Sequence, residues 1–280
     1  MKRPKVGDKP LRKFPGRLVL LGAGKMGSAM LDGWLARGLD PRKLTVLEPQ
    51  PAKSVKALTR RGMALNPKGK PLAASAVVIA VKPQSAPEAV QALKPFVDKT
   101  TLALSIMAGR TLGFLQDALP PQIAIVRAMP NTPAAIGRGI TVACPNRKVS
   151  ARQRQLASDL LTAMGTVEWV SDEGLMDAVT AVSGSGPAYV FLLAEALAQA
   201  GIAAGLPADL AQKLARETVA GSGELLHRSP LDAAVLRQNV TSPGGTTAAA
   251  LSVLMSQEAL ATLMRSAVAA ATARSRELAG

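Results

Sequence analysis

Residues 239–247 read Asn-Val-Thr-Ser-Pro-Gly-Gly-Thr-Thr and precede an alanine-rich helical run. Pro243 cannot continue a preceding helix, and Gly244 and Gly245 accept backbone angles that are closed to other residues. The first N–H groups of the following helix have no backbone partner and lie at the positive end of its dipole. The stretch therefore predicts a site for a carboxylate or phosphate, although a polar loop before a well-capped helix explains the same pattern.

A second chemical motif lies near the start of the chain, where residues 22–27 read Gly-Ala-Gly-Lys-Met-Gly. A short apolar strand pattern precedes it and a helical pattern follows. In this context the first glycine makes a tight turn, the second admits a pyrophosphate and the third lets helix and strand pack closely. Glu48 ends the next strand pattern, where a carboxylate can accept from the adenosine ribose or serve only as a strand-end acid.

The elements that must position these motifs alternate between strand and helix up to about residue 170. This alternation predicts a doubly wound, Rossmann-type parallel sheet, whose ligands lie beyond the carboxyl ends of the strands. The turns after three strands, at residues 81–83, 107–109 and 129–133, are therefore expected to line a cofactor cleft. The predicted strands are residues 18–21, 44–48, 76–81, 101–106, 123–128, 141–144 and 166–170, and the predicted helices are 28–36, 51–61, 85–97, 112–119 and 151–164.

After residue 171 the strand pattern stops and the chain reads as helices rich in alanine and leucine. We expect a basic disordered extension over 1–16, a dinucleotide-binding domain over 17–171 and a helical substrate-binding and dimerisation domain over 172–280. Helices with so many apolar faces in about 110 residues favour pairing with a second copy. The predicted helices are residues 172–182, 187–204, 208–226, 231–238, 246–255 and 258–277.

Charge and composition argue against several classes of function. The net charge of +15 is spread along the chain, and its one dense patch is the first 17 residues, so nucleic-acid binding is not expected as the function. The single cysteine, Cys144, predicts neither a disulfide nor a thiol metal site and points to a reducing, cytoplasmic location. The apolar run after the basic start is too short for a signal peptide, and no apolar run approaches membrane-spanning length.

A dinucleotide-binding domain followed by an anion-binding turn implies hydride transfer to a small acidic substrate. The sole histidine, His227, is placed as a partner of a helix C-terminal dipole, and residues 183–200 contain no lysine. Oxidation of an alcohol would need such a base to move the hydroxyl proton. Reduction of a C=N bond demands less, because a hydroxyl such as that of Thr247 can hydrogen-bond to the imine nitrogen.

The chain resembles the pyrroline-5-carboxylate reductase family. Residues 236–251 are similar to the family signature, and the segments 81–83, 129–133 and 183–189 follow in the family's order. The resemblance implies reduction of Δ1-pyrroline-5-carboxylate to L-proline by NADPH or NADH, without a metal. It also implies a homodimer of intertwined helical domains that assembles into larger rings.

The resemblance also implies roles for particular residues. Catalysis is assigned to the Thr247 hydroxyl near the ring nitrogen, and the substrate carboxylate is assigned to the turn before it. The residues implied to bind substrate are Ser242, Gly244, Gly245, Thr246 and Thr247, and those implied to bind the cofactor are Gly22, Gly24, Lys25, Met26, Gly27, Ser28, Glu48, Ala80, Val81, Lys82, Pro83, Met107, Ala108 and Asn239.

The sequence departs from the family pattern at Glu48 and Pro49, where many members carry Ser, Asn or Arg, and in the loop 229–232. Glu48 would repel a 2′-phosphate, whereas Lys25 and Lys53 would offset it, so we expect dual cofactor use or a preference for NADH. Three alternatives stay open: a related imine or β-hydroxyacid reductase, a nucleotide-sensing scaffold that has lost turnover, and a basic nucleic-acid binder.

Overall fold

A computed structural model describes residues 9–68, 72–257 and 259–279. By contacts it divides into a sheet unit, residues up to Gly184 together with those from Thr272 onward, and a helical unit, Ser185–Ala271. The sequence places the boundary earlier, near residue 171. The sheet unit extends further because Met176 is buried in its core and Ser275 Oγ donates to Asp177 Oδ1 at 2.7 Å. The predicted functional boundary stays a prediction.

The sheet unit contains eight strands in the order β3-β2-β1-β4-β5-β6-β7-β8. The first six in this order run parallel, as the alternating pattern predicts, and β7 runs antiparallel to β6 with β8 parallel to β7. The strands are β1 Leu18–Leu21, β2 Leu44–Leu47, β3 Ala64–Leu65, β4 Ala76–Ile79, β5 Leu102–Ser105, β6 Ala124–Met129, β7 Gly139–Pro145 and β8 Gly165–Trp169.

Helices connect the strands and cover both faces of the sheet. Leu18 and Leu20 of β1 face one apolar core, whereas Val19 and Leu21 face the other, because successive side chains on a strand alternate in direction. The helices of this unit are α1 Lys25–Ala36, α2 Lys53–Ala57, α3 Ala86–Ala89, α4 Leu112–Ala118, α5 Ala151–Leu161 and α6 Met176–Val179.

Some predicted helices are shorter than their sequence patterns. The expected helix over 85–97 is α3 followed by a 3-10 segment, Val90–Phe96, which contains Pro95. Proline lacks the N–H of a regular helix and its ring crowds the preceding turn, so the segment winds differently. The expected helix over 51–61 is α2 followed by the 3-10 segment Leu58–Arg61.

The predicted disorder of residues 1–16 is wrong for the part that the structure describes. Pro10–Lys13 form a 3-10 turn, and the side chains of Leu11 and Phe14 are buried in the core that contains α1. Lys43 Nζ also donates to the Phe14 carbonyl at 2.6 Å. Burial of these two apolar side chains outweighs the local density of basic residues. Residues 1–8 lie outside the described part.

The helical unit contains most of the remaining helices. These are α7 Gly186–Ala203, α8 Ala208–Arg228, α9 Ala233–Asn239 and α10 Thr246–Leu254, and α11 Leu260–Ala279 begins in this unit and ends in the sheet unit. The first two form an antiparallel pair, in which a methyl group at Gly201 would lie 3.3 Å from Ala211 Cβ. Small residues at this crossing let the two helices approach closely.

One helical stretch, Glu173–Ala203, has the length and apolar composition that would suffice to cross a membrane. The expectation that no run approaches this length is therefore wrong. Within this stretch a five-residue π-helical segment, Thr180–Gly184, follows α6, and α7 begins at Gly186.

Candidate active site

The glycine loop lies between β1 and α1, at the carboxyl end of the sheet. Gly22 has φ +89°, and a methyl group there would lie 2.7 Å from the Ala80 carbonyl oxygen. A methyl group at Gly27 would collide with the Gly22 carbonyl oxygen, so this glycine lets α1 pack against the loop. Gly24 faces open space, with no atom within 4 Å of such a group. The left-handed φ of Gly22 fits the tight turn expected of the first glycine, the third allows the expected close packing, and the second leaves room for a pyrophosphate.

The helix behind this loop begins earlier than its sequence pattern predicts. Gly24 is its N-cap, and Lys25 and Met26 belong to the first turn of α1 instead of the loop. Ser28 Oγ donates to the Ala23 carbonyl at 2.8 Å, which ties the helix to the loop. Because Gly24 contributes no capping side chain, the first N–H groups of α1 suit an anion that approaches over it.

Glu48 follows β2 and contacts the glycine loop directly. Its Oε2 accepts from the Ala23 N–H at 2.8 Å and its Oε1 accepts from the Gln50 N–H at 3.0 Å. Asn66 fixes the Glu48 backbone, accepting from its N–H and donating to its carbonyl, each at 2.8 Å. Each carboxylate oxygen keeps a free lone-pair direction for a ribose hydroxyl. The predicted contact of Glu48 with the ribose stays a prediction. Asn66 was not predicted, because no sequence motif includes it.

The turn after β4 lies beside the loop, and the turn after β5 follows the next strand of the same sheet. Ala80 and Val81 pack against Gly22, where a methyl group would lie 2.9 Å from Val81 Cγ1, while Lys82 is exposed. Met107 is buried and Ala108 is exposed. The Rossmann strand order reverses between β1 and β4, and in such sheets the cofactor binds at this reversal.

Sequence reasoning missed Arg110, which joins these turns. Its Nε and Nη2 donate to the Pro83 carbonyl at 3.1 and 2.8 Å, and its guanidinium lies 4.6 Å from the centroid of the Phe114 ring. Pro83 and Arg110 are 27 residues apart, so no local pattern could have paired them.

A partly buried ion pair supports the same edge of the sheet. Arg127 Nη1 lies 2.8 Å from Glu173 Oε1, which also accepts from the Leu112 N–H at the start of α4 at 2.8 Å. Cys144 lies opposite Arg127 in the β6–β7 register. Burial, and then the Glu173 charge, raise the pKa of the Cys144 thiol, so this cysteine stays a protonated core residue.

In the helical unit the predicted anion site is a tight turn followed by a helix. The Gly245 N–H donates to the Ser242 carbonyl at 3.1 Å, and Gly244 has φ +69°. Proline at the second position and a left-handed glycine at the third are typical of a type II turn. Gly245 is the N-cap of α10 and supplies no capping side chain, so the helix begins with N–H groups suited to an anion.

The remaining predicted residues of this unit lie on either side of that turn. Thr246 and Thr247 form the first turn of α10, with Thr247 partly buried. Asn239 ends α9 and is exposed. Thr241 Oγ1 donates to the Arg237 carbonyl at 2.7 Å, which secures the connection from α9. Contact of Asn239 with the nicotinamide and of Thr247 with substrate both stay predictions.

The arrangement suits a dinucleotide and a small anion. The glycine loop offers a space that a side chain would fill, and the α10 turn offers an uncapped helix start. Among the described residues, no group of three or more His, Cys, Asp or Glu side chains is placed to hold a metal ion.

These features define the class: the chain is a Rossmann-type dinucleotide-binding protein with a helical C-terminal region. Two family models match its two parts. Residues 17–109 match a family described as NADP oxidoreductase, coenzyme F420-dependent, and residues 173–278 match one described as pyrroline-5-carboxylate reductase dimerisation. The second match begins close to the predicted boundary at residue 172.

Curated relatives and solved structures identify the family. A pyrroline-5-carboxylate reductase of Pseudomonas aeruginosa is 37% identical over 265 residues, covering 94% of this chain and 97% of the relative. The structure of a pyrroline-5-carboxylate reductase from Coxiella burnetii matches with a TM-score of 0.86 and 34% identity, covering 95% of this chain and 99% of that one. A Plasmodium falciparum pyrroline carboxylate reductase with NADP bound matches with a TM-score of 0.77 and 29% identity, covering 98% and 100%.

The chain belongs to the pyrroline-5-carboxylate reductase family. The resemblance drawn from residues 236–251 is therefore confirmed, as is the fold class of a Rossmann-type sheet followed by a helical region.

Proposed function

We propose that this protein reduces Δ1-pyrroline-5-carboxylate to L-proline with NADPH or NADH. The observation that carries the proposal is the 37% identity to a curated pyrroline-5-carboxylate reductase across 94% of the chain. The glycine loop and the α10 turn support it, because a reductase of a carboxylated imine needs a place for each of two anions, the pyrophosphate and the carboxylate.

The residues of the helical unit are assigned to the substrate. The N–H groups at the start of α10, presented by the turn of Ser242, Gly244 and Gly245, hold the carboxylate. Thr246 and Thr247 follow in the first turn, and the Thr247 hydroxyl hydrogen-bonds to the imine nitrogen. That bond strengthens as the nitrogen becomes basic, so it stabilises the transition state more than the bound substrate.

The residues of the sheet unit are assigned to the cofactor. Gly22, Gly24 and Gly27 with the start of α1 hold the pyrophosphate, and Glu48 accepts from the adenosine ribose while it anchors the loop through Ala23. The turns that contain Val81 and Met107 border the nicotinamide half. The reduced nicotinamide, when bound, supplies the hydride to the imine carbon. The nitrogen takes up a proton, which completes reduction of the C=N bond.

The helical unit is assigned to homodimerisation. Its match to a dimerisation family supports this, as do the exposed apolar side chains of α7, including Phe191, Leu192 and Leu193 at 62%, 63% and 54% exposure. These side chains also explain why Glu173–Ala203 is apolar enough to cross a membrane, so we assign the stretch to a subunit interface and not to a lipid bilayer. We further propose a ring of such dimers, a cytoplasmic location and no nucleic-acid partner.

The test is oxidation of NADPH and of NADH, followed by absorbance, with Δ1-pyrroline-5-carboxylate against a panel of ketoacids and other cyclic imines. We expect turnover with the pyrroline substrate and formation of proline in equal amount. Preference for a ketoacid, or binding of cofactor without turnover of any imine, would contradict the proposal.

A further inference from the structure

Arg110 lies between two turns that border the proposed cofactor site. It follows the turn after β5, and both of its bonds to the Pro83 carbonyl reach the turn after β4, at 2.8 and 3.1 Å. Its guanidinium also stacks 4.6 Å from the Phe114 ring centroid. The side chain is thus held from both sides, by a carbonyl and by an aromatic face.

The Arg110 side of this bridge is fixed by independent contacts. Gly109 before it has φ +68°, a left-handed turn conformation. Thr111 after it caps α4, accepting from the Phe114 N–H at 3.1 Å, and Glu173 accepts from the Leu112 N–H at 2.8 Å. Arg110 therefore starts from a rigid base.

The Pro83 side has fewer such contacts. Its own side chain cannot hydrogen-bond, and Lys82 beside it is exposed. Local backbone bonds hold the turn, from Ser85 N–H to the Lys82 carbonyl at 3.0 Å and from Ala86 N–H to the Pro83 carbonyl. The Arg110 fork adds side-chain hydrogen bonds that tie this turn to the turn after β5, beside the apolar packing of Val81 against the cluster that contains Met107.

The position of the Pro83 turn matters for the glycine loop. Val81 precedes it by two residues, and a methyl group at Gly22 would lie 2.9 Å from Val81 Cγ1. A shift of the turn therefore changes the packing between Val81 and Gly22. That packing is tight, so displacements are felt by the neighbouring atoms.

We propose that Arg110 is a positioning residue for cofactor binding, which sets the Val81–Pro83 turn against the glycine loop. The inference rests on the proposed function only where it is measured by imine reduction. Direct binding of the cofactor tests it without turnover. The bridge has no contact with Glu48 or Asn66, which lie at the ribose end. Its loss is therefore expected to weaken NADPH and NADH alike.

The experiment compares four variants of the full-length protein. Arg110→Met removes both hydrogen bonds, Arg110→Lys keeps a donor, and Phe114→Leu removes the aromatic face alone. The matched control is Arg154→Met, because Arg154 also stacks on an aromatic ring, 4.4 Å from the Trp169 centroid, on the strand at the far end of the sheet. Binding of each reduced cofactor is measured by fluorescence titration, together with KM, kcat and thermal melting.

We expect Arg110→Met to raise the dissociation constant and the KM for both cofactors roughly tenfold, the size of one charge-assisted hydrogen bond. The kcat and the KM for the imine should change little, and Arg110→Lys should recover part of the affinity. The Arg154→Met control should bind normally.

Two results would overturn the inference: unchanged cofactor affinity in Arg110→Met, or loss of affinity only in proportion to a lowered melting temperature that Arg154→Met shares. A wild-type protein that binds cofactor and fails to reduce the imine would instead overturn the proposed function, and the variants would still decide the role of Arg110 by their cofactor affinity.

Discussion

The sheet unit and the helical unit differ in how completely one copy of the chain buries its apolar residues. The sheet unit buries large side chains on both faces of the sheet, among them Trp34, Phe14 and Leu104. Among the described residues 185–271, the buried apolar residues are alanines, Ala198, Ala211 and Ala215. Leucines, valines and a phenylalanine of the same region lie exposed.

This contrast shows that the two units have different sources of stability. Each fully buried leucine or phenylalanine contributes about 1.5–3 kcal/mol through removal from water, and the sheet unit collects this within one chain. The helical unit leaves Val253 and Leu263 at 69% and 64% exposure. A second copy of the chain is therefore the natural source of its missing core, as its match to a dimerisation family indicates.

The contrast is most strongly tested at Phe191, on the exposed face of α7. Phe191→Asp places a charge in the proposed interface, and a central aromatic residue contributes about 2 kcal/mol or more to an interface. A two-fold interface contains the residue twice, so the dimer dissociation constant should rise at least about 1,000-fold. Light scattering should show a smaller species, and imine reduction should fall with it.

The matched control is Leu72→Asp, because Leu72 is equally exposed, at 65%, but belongs to the sheet unit. That variant should keep the oligomeric state and activity of the wild type. A Phe191→Asp protein that stays dimeric and active would show that the exposed face of α7 is not the interface.

The second test addresses the substrate end of the helical unit. Thr247→Ala should lower kcat by ~10²-fold with a small change in KM, because the proposed hydrogen bond strengthens as the imine nitrogen becomes basic. Gly245→Ala should instead raise KM, since a methyl group there would lie 3.2 Å from the Ser242 carbonyl oxygen and disturb the turn.

Ser252→Ala serves as the control for that test, because Ser252 lies on the exposed part of α10 and its hydroxyl donates to the Ala249 carbonyl at 2.7 Å. Its kinetics should match the wild type. If Thr247→Ala changes KM and leaves kcat intact, the hydroxyl is a binding contact and the proton comes from water or from an already protonated substrate.

The two units also differ in what their sequences predicted. The strands β1, β4 and β5 were predictable because short apolar runs end in glycine or proline turns, and a buried parallel strand has that pattern. The helical unit was predictable as helices, and the number of their apolar faces also predicted a second copy. Which side chains stay exposed, such as Phe191 and Leu192, is seen only in the structure.

Other features depended on tertiary contacts and could not be predicted from local pattern. Leu11 and Phe14 are separated by basic residues and prolines, so their burial was hidden by the charge around them. The strand pattern predicted a parallel sheet and did not reveal that β7 pairs with β6 in the antiparallel direction. Arg110 meets Pro83, and Asn66 meets Glu48, only because parallel strands bring the ends of separate segments to one edge of the sheet.

The smallest expected effect concerns cofactor preference, and it tests whether residues of the sheet unit alone set that preference. Glu48 both anchors the glycine loop, through Ala23, and presents a negative charge toward the predicted ribose site. Glu48→Gln removes the charge and keeps an acceptor oxygen. The repulsion of a 2′-phosphate across water then falls by about 1 kcal/mol, and the NADPH to NADH ratio of kcat/KM should rise roughly fivefold. Glu48→Ser also loses the anchor, so it should shift the ratio in the same direction while weakening the binding of both cofactors.

The control variant is Glu168→Gln, which changes an exposed acid on β8 and should leave the ratio unchanged. Measured in the Phe191→Asp background by direct binding, the same shift in relative affinity is expected, because the loop and its anchor lie in the sheet unit. If Glu48→Gln leaves the NADPH to NADH ratio unchanged, the carboxylate only anchors the glycine loop and does not contact the ribose.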